Sequence, residues 1–213
     1  MATLASNQLG IYAIDGGSTS PLEVVTASGS APTAAEAVAA GVADDAKFLA
    51  VDASSDFIGL YTLDTTSDPD AVAETAIAAT HLLAAATTTT LDASNTINEV
   101  AARDGEGSST NFIASGAFAY TFTIDGLIDL TASGSGDTGS PITLIDLAKD
   151  SKYVFVRFTT KIGDDGLGND AGVVSYVGQA LIESCSLTGG VDDIATYSAT
   201  FRGYGKLHKF IAA

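Results

Sequence analysis

Residue types that commonly carry chemistry are scarce in this chain. Its 213 residues include one cysteine, Cys185, two histidines and no tryptophan. A single cysteine excludes an internal disulfide and a metal site built from cysteines. His81 and His208 lie far apart with no ligand or triad spacing, so we expect both to be structural. Cys185 stands in an alternating stretch and is expected to be a small packed side chain.

Positive charge is also scarce. The chain has 9 Lys and Arg against 26 Asp and Glu, a net charge of −17, and residues 1–148 carry only Lys47 and Arg103 as basic side chains. Proteins bind nucleic acid through Lys and Arg, which replace the counterions of the phosphates. The composition therefore argues against nucleic-acid binding, and an acidic surface would repel DNA.

Long apolar runs and targeting signals are missing as well. Residues 1–8 offer neither the basic region nor the apolar core of a secretory signal, and no run reaches the roughly 20 apolar residues of a membrane span. We expect a soluble protein made in the cytoplasm, with no membrane partner. Charged residues make up only 16% of the chain, and Ala, Gly, Ser and Thr take their place. Such small neutral side chains suit close packing between subunits.

The most organised segment runs from Tyr176 to Gly205. It contains two runs of alternating apolar and polar residues joined by Gly189 and Gly190, a pattern typical of a β-hairpin. The first run predicts a long strand over 173–187, bent or bulged at Gly178. The second run predicts a returning strand with one inward row of side chains. That row is Ala195, Tyr197, Ala199 and Phe201.

Alternation of period two also predicts strands elsewhere in residues 96–213. Phe118, Tyr120, Phe122 and Ile124 share one strand face. Residues 152–160 predict an interior strand, because apolar side chains occur on both of its faces. Ser140-Pro141 begins a short helix that we expect to cover one face of the sheet.

Residues 18–86 have a different sequence pattern, which predicts alternating strands and helices. Strands are predicted at Leu22–Thr26, Lys47–Asp52 and Phe57–Leu63. Thr33 and Glu36 form a capping-box pattern that starts a short helix, and Gly41 ends it. Asp68-Pro69 predicts a second helix with an apolar stripe that reaches Leu83.

Motifs that could carry catalysis or bind a cofactor are weak. Gly134–Gly139 matches the dinucleotide pattern GxGxxG, but the alternating strands around it do not form the parallel unit that this pattern needs. Asp164–Asp170 is rich in oxygen ligands but lacks the spacing of a calcium loop, so a solvated hairpin tip is the better interpretation. The paired acids Asp44-Asp45 and Asp192-Asp193 lie beside turn glycines, where Asp is favoured for backbone reasons. We expect no enzyme, no cofactor and no metal.

The order of several segments resembles one known family. Ile97–Asp104, then Ile113–Gly116, then Tyr120–Gly126 resemble the major tail tube proteins of long-tailed bacteriophages. Tyr176–Gly205 is similar to that family's closing hairpin, which ends in an aromatic residue and spaced glycines. The resemblance covers roughly residues 91 to 210, with Leu9–Ile14 as a first strand, and residues 18–86 match nothing in it.

The resemblance implies a mainly β fold. It implies an antiparallel β-sandwich or split barrel with a flanking short helix, made of residues 1–17 and 87–213. Residues 18–86 would form an inserted or added small α/β domain, placed on the outside of the assembly. The implied protein is a virion structural subunit that forms stacked hexameric rings around a channel for DNA. The chain would be assembled in the host cytoplasm and would reside in the virion tail.

The resemblance also implies partners and surface residues. Copies of the chain would contact each other, with tape-measure, tail terminator and baseplate proteins as further partners, and DNA would pass without specific binding. Glu183 is the candidate lumen-facing residue, because alternation places it in the longest strand on one face with Leu181, Cys185 and Leu187, and a carboxylate would be costly in a core. The candidate inter-subunit loop carries Asp164, Asp165, Asn169 and Asp170.

Two other classes of protein stay open on the residues alone. A capsid decoration protein or another β-sandwich shell protein would use the same strand composition. A secreted adhesin or carbohydrate-binding module would fit the Thr-, Ser- and Gly-rich strands, although the chain lacks a signal peptide and tryptophan.

Overall fold

The chain folds into two β-sheets and two short helices. The computed structural model describes residues 9–67, 69–75, 83, 86–102, 109–128, 141–161, 171–189 and 195–211. The strands are β1 (Gly10–Asp15), β2 (Glu23–Thr26), β3 (Lys47–Val51), β4 (Phe57–Asp64), β5 (Ala71–Glu74), β6 (Ala86–Ala102), β7 (Ser109–Leu127), β8 (Tyr153–Thr159), β9 (Val174–Thr188) and β10 (Thr196–Ile211). The helices are α1 (Ala34–Ala39) and α2 (Pro141–Lys149). The expected mainly β fold, sandwich-like with a flanking short helix, is confirmed.

The larger sheet has six antiparallel strands in the order β1-β8-β9-β10-β7-β6. Its inner face buries the main core, in which Val156 of β8, Phe122 of β7 and Leu144 of α2 belong to one cluster. The sheet curls around this core, since the N–H of Leu83, shortly before β6, donates to the carbonyl of Ile11 in β1 at 2.9 Å. The predicted helix after Ser140 is confirmed, because Leu144 and Leu147 of α2 cover the inner face.

The smaller sheet has the order β2-β3-β4-β5 and comes from the segment with mixed strand and helix patterns. β2 and β3 are parallel, so the chain must cross between them, and α1 makes that crossing. Val25, Phe48 and Ala37 of α1 belong to the cluster between this sheet and the helix. The three strands predicted over residues 22–63 and the first helix are confirmed.

The two sheets pack against each other through the outer face of the larger one. Leu49, Phe57 and Leu60 of the smaller sheet share a buried cluster with Phe155 and Val177 of the larger sheet. The rings of Phe57 and Phe155 stack with centroids 5.5 Å apart. Both faces of β8 are therefore covered, as its composition predicts, by the main core on one side and the small sheet on the other.

The predicted second helix, from Asp68 towards Leu83, is wrong over residues 71–74. These residues form β5, which pairs with β4 from Tyr61 to Asp64. Local composition favours a helix there, but ladder hydrogen bonds to β4 and the bond from Thr75 N–H to the Leu60 carbonyl, 2.7 Å long, favour the extended chain. Asp68 and residues 76–82, including His81, lie outside the described residues.

The bend in the long β9–β10 hairpin is built around the ring of Tyr120. The Tyr120 hydroxyl lies 2.8 Å from the Gln179 carbonyl and 2.9 Å from the Tyr204 carbonyl, and one proton serves both. Gly178 and Gly203 lie against the ring, and a methyl group at either would overlap it. Opposite Gly178, β10 contains extra residues between Tyr204 and His208. The predicted irregularity at Gly178 is confirmed, with the extra residues in the partner strand.

We expect Gly203→Ala to destabilise the fold, because the new methyl group would overlap a ring that is fixed by its hydroxyl. A loss of about 1–3 kcal/mol in the free energy of unfolding, measured with urea, is the expected size. The loss should shrink when Tyr120→Ala is present, since the overlap is then gone. Gly29→Ala is the control, because an added methyl group there would come no nearer than 4.0 Å to any atom outside its adjacent residues, the nearest being the Ala31 carbonyl oxygen. An equal loss for Gly203→Ala with and without Tyr120→Ala would contradict this account.

The capping box of α1 is present as the sequence predicts. The Thr33 hydroxyl accepts from the Glu36 N–H at 3.3 Å, and the Glu36 carboxylate accepts from the N–H groups of Thr33 and Ser28 at 2.8 and 2.9 Å. Hydrogen bonds from the Ser28 side chain, and then from these N–H groups, lower the pKa of Glu36 from 4.5 to about 2. Gly41 follows the helix with φ of 86° and ends it.

The lowered pKa of Glu36 makes this cap sensitive to acid. Its contribution to stability should be complete above the ordinary pKa of 4.5 and should be lost as the pH falls through about 2. Ser28→Ala should raise the pKa of Glu36 towards 4.5, because the largest cause of the shift is removed. The measurement is an NMR titration of the Glu36 side chain. An unchanged pKa in Ser28→Ala would show that the Ser28 hydroxyl is not the cause.

Candidate assembly surface

One exposed face of the larger sheet is lined with short hydroxyl side chains. It lies on the outer face of four strands, where β6, β7, β10 and the far end of β9 run side by side. Strand register places its residues in three rows: Thr90, Thr123, Thr200 and Ser184; Thr88, Asp125, Ser198 and Ser186; Asp92, Thr121 and Arg202. We call these residues the hydroxyl face. It is polar, and most of its side chains are short.

The opposite side of the same four strands is apolar. The row behind the threonines is Leu91, Phe122, Phe201 and Ile182. Phe122 and Phe201 are fully buried in the main core, and Leu91 and Ile182 at the two ends are partly buried against it. The four strands therefore form a sheet with one solvent-exposed face and one apolar face, and the apolar face packs against the core of the same chain.

Neither edge of this four-stranded part pairs with a further strand in the part of the chain that the structure describes, although α2 lies beside β9. β6 pairs with β7 and has no strand on its other side. β8 pairs with β9 only from Ser175 to Leu181, so residues 182–188 of β9 pair with β10 alone. The strand register aligns Thr90 on the β6 edge with Ser184 on the β9 edge. Two open edges at one level can pair with copies of each other.

The β6–β7 hairpin continues beyond the sheet as a two-stranded arm. β10 covers β7 only from Thr121 to Leu127, whereas β6 and β7 stay paired out to Ala102 and Ser109. A register shift next to Asn95 marks the start of the arm. An isolated two-stranded ribbon is marginally stable in water. The arm therefore favours contact with another chain.

Glu183, the candidate lumen-facing residue, lies at the border of the hydroxyl face. Thr200 pairs with Ser184 and Phe201 with Ile182, so Glu183 is the extra residue of a bulge in β9. Its carboxylate lies 3.6 Å from the Arg202 guanidinium, and both side chains are largely exposed. This exposed pair contributes little stability, but it offsets the charge of Arg202 on the hydroxyl face.

The bulge at Glu183 corrects one expectation about this strand. Strict alternation puts Glu183 and Cys185 on one face, yet Cys185 packs against the main core together with Ile182. Burial raises the pKa of the Cys185 thiol, as expected for a packed side chain. Burial, with smaller contributions from Cys185 and Asp125, also raises the pKa of Tyr197 beside it. The extra residue reverses which side chains point inward, and sequence alternation alone gives no sign of it.

The remaining site candidates are settled in part. Asp164, Asp165, Asn169 and Asp170 lie outside the described residues, as does the glycine-rich stretch 134–139, so the inter-subunit loop stays a prediction.

His208 is buried, and its Nδ1 lies 2.8 Å from the Ser55 carbonyl, so it links β10 to the turn between β3 and β4. Within the described ranges, no three His, Cys, Asp or Glu side chains come together as a metal site. Among those residues, no helix is long and apolar enough to cross a membrane.

Comparisons with known proteins find likeness in structure alone. No protein-family model matches the sequence, and no curated protein does. The tail of an empty gene transfer agent particle with C6 symmetry is similar with a TM-score of 0.46 and 15% identity, over 62% of this chain and 87% of that one. The SPP1 tail tube gives a TM-score of 0.41 and 16% identity, over 60% and 66%. The sheath–tube complex of an extracellular contractile injection system gives 0.41 and 13%, over 62% and 83%.

Proposed function

We propose that this chain is the major tail tube subunit of a virion, which forms stacked rings around a channel for DNA. The role is structural and not catalytic. The observation that carries the proposal is the four-stranded part of the larger sheet, with its two open edges, one apolar side and one hydroxyl side.

Because each copy contributes an even number of antiparallel strands, the strands of neighbouring copies keep alternating in direction where the copies join. β9, β10, β7 and β6 are antiparallel to their neighbours, so β6 and β9 run in opposite directions. When β6 of one copy meets residues 182–188 of β9 in the next, the new ladder is antiparallel as well. Repeating this contact closes a barrel in which no edge of these strands stays unpaired.

Six copies would give a barrel of the right width. Six subunits with four strands each form 24 strands, and a spacing of about 4.8 Å with a tilt of about 40° gives a barrel roughly 50 Å across its backbone. Smaller barrels fill with side chains, whereas barrels of 16 or more strands leave an aqueous channel. The short side chains of the hydroxyl face would keep that channel open for duplex DNA.

The hydroxyl face suits a channel that DNA must cross without binding. Thr and Ser side chains stay hydrated and carry no charge, and the carboxylates of Asp92 and Asp125 repel phosphate. Arg202 is the cation of this face among the described residues, and Glu183 lies beside it. Because affinity for DNA comes from cations that replace counterions, such a wall retains little DNA.

The smaller sheet would lie on the outside of the tube. It covers the outer face of β1, β8 and the near end of β9, whereas the hydroxyl face lies beyond the bulges on the other part of the curled sheet. We therefore keep residues 18–86 as an inserted, outward domain between residues 1–17 and 87–213. Tape-measure, terminator and baseplate proteins would be the further partners of the tube, assembled in the host cytoplasm.

Leu187→Lys should abolish tube formation, because Leu187 lies on the open edge of β9 and is 43% exposed in the single chain. The charge would be buried between copies, while the isolated fold should be unchanged. Val38→Lys is the matched control, since Val38 on α1 is 49% exposed but belongs to the outward domain. Negative-stain images and sedimentation measure assembly. Tubes formed by Leu187→Lys, or lost in Val38→Lys, would rule out the proposed contact.

Glu183→Cys tests which face lines the channel. In tubes that also carry Cys185→Ser, a thiol at position 183 should react with a small maleimide and resist a bulky polymer maleimide, because only the small reagent enters the channel. Val38→Cys in the same background should react with both. Gel shifts measure the labelling. Full reaction of Glu183→Cys with the bulky reagent in intact tubes would place residue 183 on the outside.

A further inference from the structure

A cleft lies between the smaller sheet and the bent part of β10. Its volume is about 560 Å³, within the range of sites that hold ligands. β2 forms one wall, Leu49 and Val51 of β3 contribute apolar side chains, and Tyr204–His208 contribute to the opposite wall. The cleft exists in the single chain and takes no part in the ring contact proposed above.

The wall formed by β2 is an open strand edge. Ala27 donates its N–H to the Val51 carbonyl of β3, so odd-numbered residues of this strand face β3. By alternation, the backbone groups of Leu22, Val24 and Thr26 face the other way. β2 has no strand on that side in the described part of the chain. Its outward N–H and C=O groups can pair with an extended peptide.

A side chain already pairs with part of this edge. The Gln179 amide accepts from the Leu22 N–H at 2.7 Å and donates to the Leu22 carbonyl at 2.6 Å, which are the two bonds that a neighbouring strand would make. Gln179 thus occupies the first outward position of the edge. Val24, whose side chain is 43% exposed, and Thr26 line the cleft beyond it.

The opposite wall offers an acceptor and a cation. Because the Ser55 carbonyl can only accept, the Nδ1 of His208 carries the proton of their 2.8 Å hydrogen bond. His208 lines the cleft and is 5% exposed, and its Nε2 has no hydrogen-bond partner among the described residues. Lys206, which also lines the cleft, follows Gly205 at φ of 72°. Lys206 is the basic residue of the lining, and Glu23 of β2 is its acidic residue, on the facing wall.

We propose that this cleft binds an extended peptide segment of a partner protein as an added strand on β2, with a carboxylate of the segment directed at Lys206 and away from Glu23. The backbone of the segment would pair with Val24 and Thr26, and an N–H group on its other side would donate to Nε2 of His208. One side chain would contact Leu49 and Val51, and a carboxylate would pair with Lys206. The open edges of β6 and β9 match each other, so the β2 edge is left for a different chain.

The test uses the unassembled chain, so that failure of tube formation does not affect it. The probe is the blocked peptide acetyl-Thr-Val-Asp-Val-Thr-amide, and binding is followed by NMR of the Val24 and Thr26 amides and by their hydrogen exchange. We expect shifts at both amides and exchange slowed about tenfold at saturation, the effect of about one net hydrogen bond. The same peptide with N-methylated valines should not bind, because it cannot pair with a strand edge.

Two variants separate edge pairing from charge attraction. Val24→Pro removes an outward N–H and should abolish binding, whereas Val24→Thr keeps the N–H and should bind as the parent does. Lys206→Glu changes an exposed side chain and should weaken binding about tenfold without altering the fold. Loss of binding in Lys206→Glu supports the proposal even if Val24→Pro does not fold.

Three results would overturn the proposal. The first is equal binding of the N-methylated peptide, which would mean that no strand pairing occurs. The second is binding of a neutral oligosaccharide such as maltoheptaose in the cleft while the peptide fails to bind. The third is inhibition of tube assembly by the peptide, because the occupant of the cleft would then be a second copy of this chain.

Discussion

The position of one aromatic ring determines the shape of the larger sheet. Tyr120 projects from β7 across β9 and β10, and its ring fits only because Gly178 and Gly203 have no side chains beneath it. Its hydroxyl donates to the carbonyls of Gln179 and Tyr204, the cross-strand pair that borders the extra residues of β10. Burial, opposed by these hydrogen bonds, raises the pKa of Tyr120 to about 12, so the hydroxyl remains a donor at any physiological pH.

The bend at Tyr120 divides the β9–β10 hairpin into two parts with different neighbours. β9 pairs with β8 as far as Leu181, and Val177 packs against the smaller sheet. From Ile182 onwards β9 has no strand on that side, and the outer face carries hydroxyl side chains. A single hairpin thus supports a surface covered within the chain and a surface left for other copies. In the proposed tube, this separation would let an outward domain be added without changing the strands that form the ring.

Capping and alternation patterns in the sequence predicted most helices and strands, and strand pairing with distant residues determined the others. The capping box at Thr33 and the alternation around Phe122 are visible in sequence, because each depends on residues within one element. Residues 71–74 have a helical composition but extend beside β4, a choice made by residues distant in sequence. The hydroxyl face could not be foreseen, since its rows combine residues from four strands whose register no single segment specifies. The bulge at Glu183 is hidden for the same reason.

The extra residue at Glu183 also constrains how this hairpin can evolve. Deleting Glu183 itself would remove the bulge and leave the following side chains on their present faces, whereas deleting Ser184 with the bulge kept would exchange them, placing Ser186 in the core and Cys185 in water. Removing or inserting two residues would leave each following side chain on its present face of the strand. Homologous hairpins should therefore differ in length by even steps on this strand, and an odd step should be accompanied by gain or loss of the bulge.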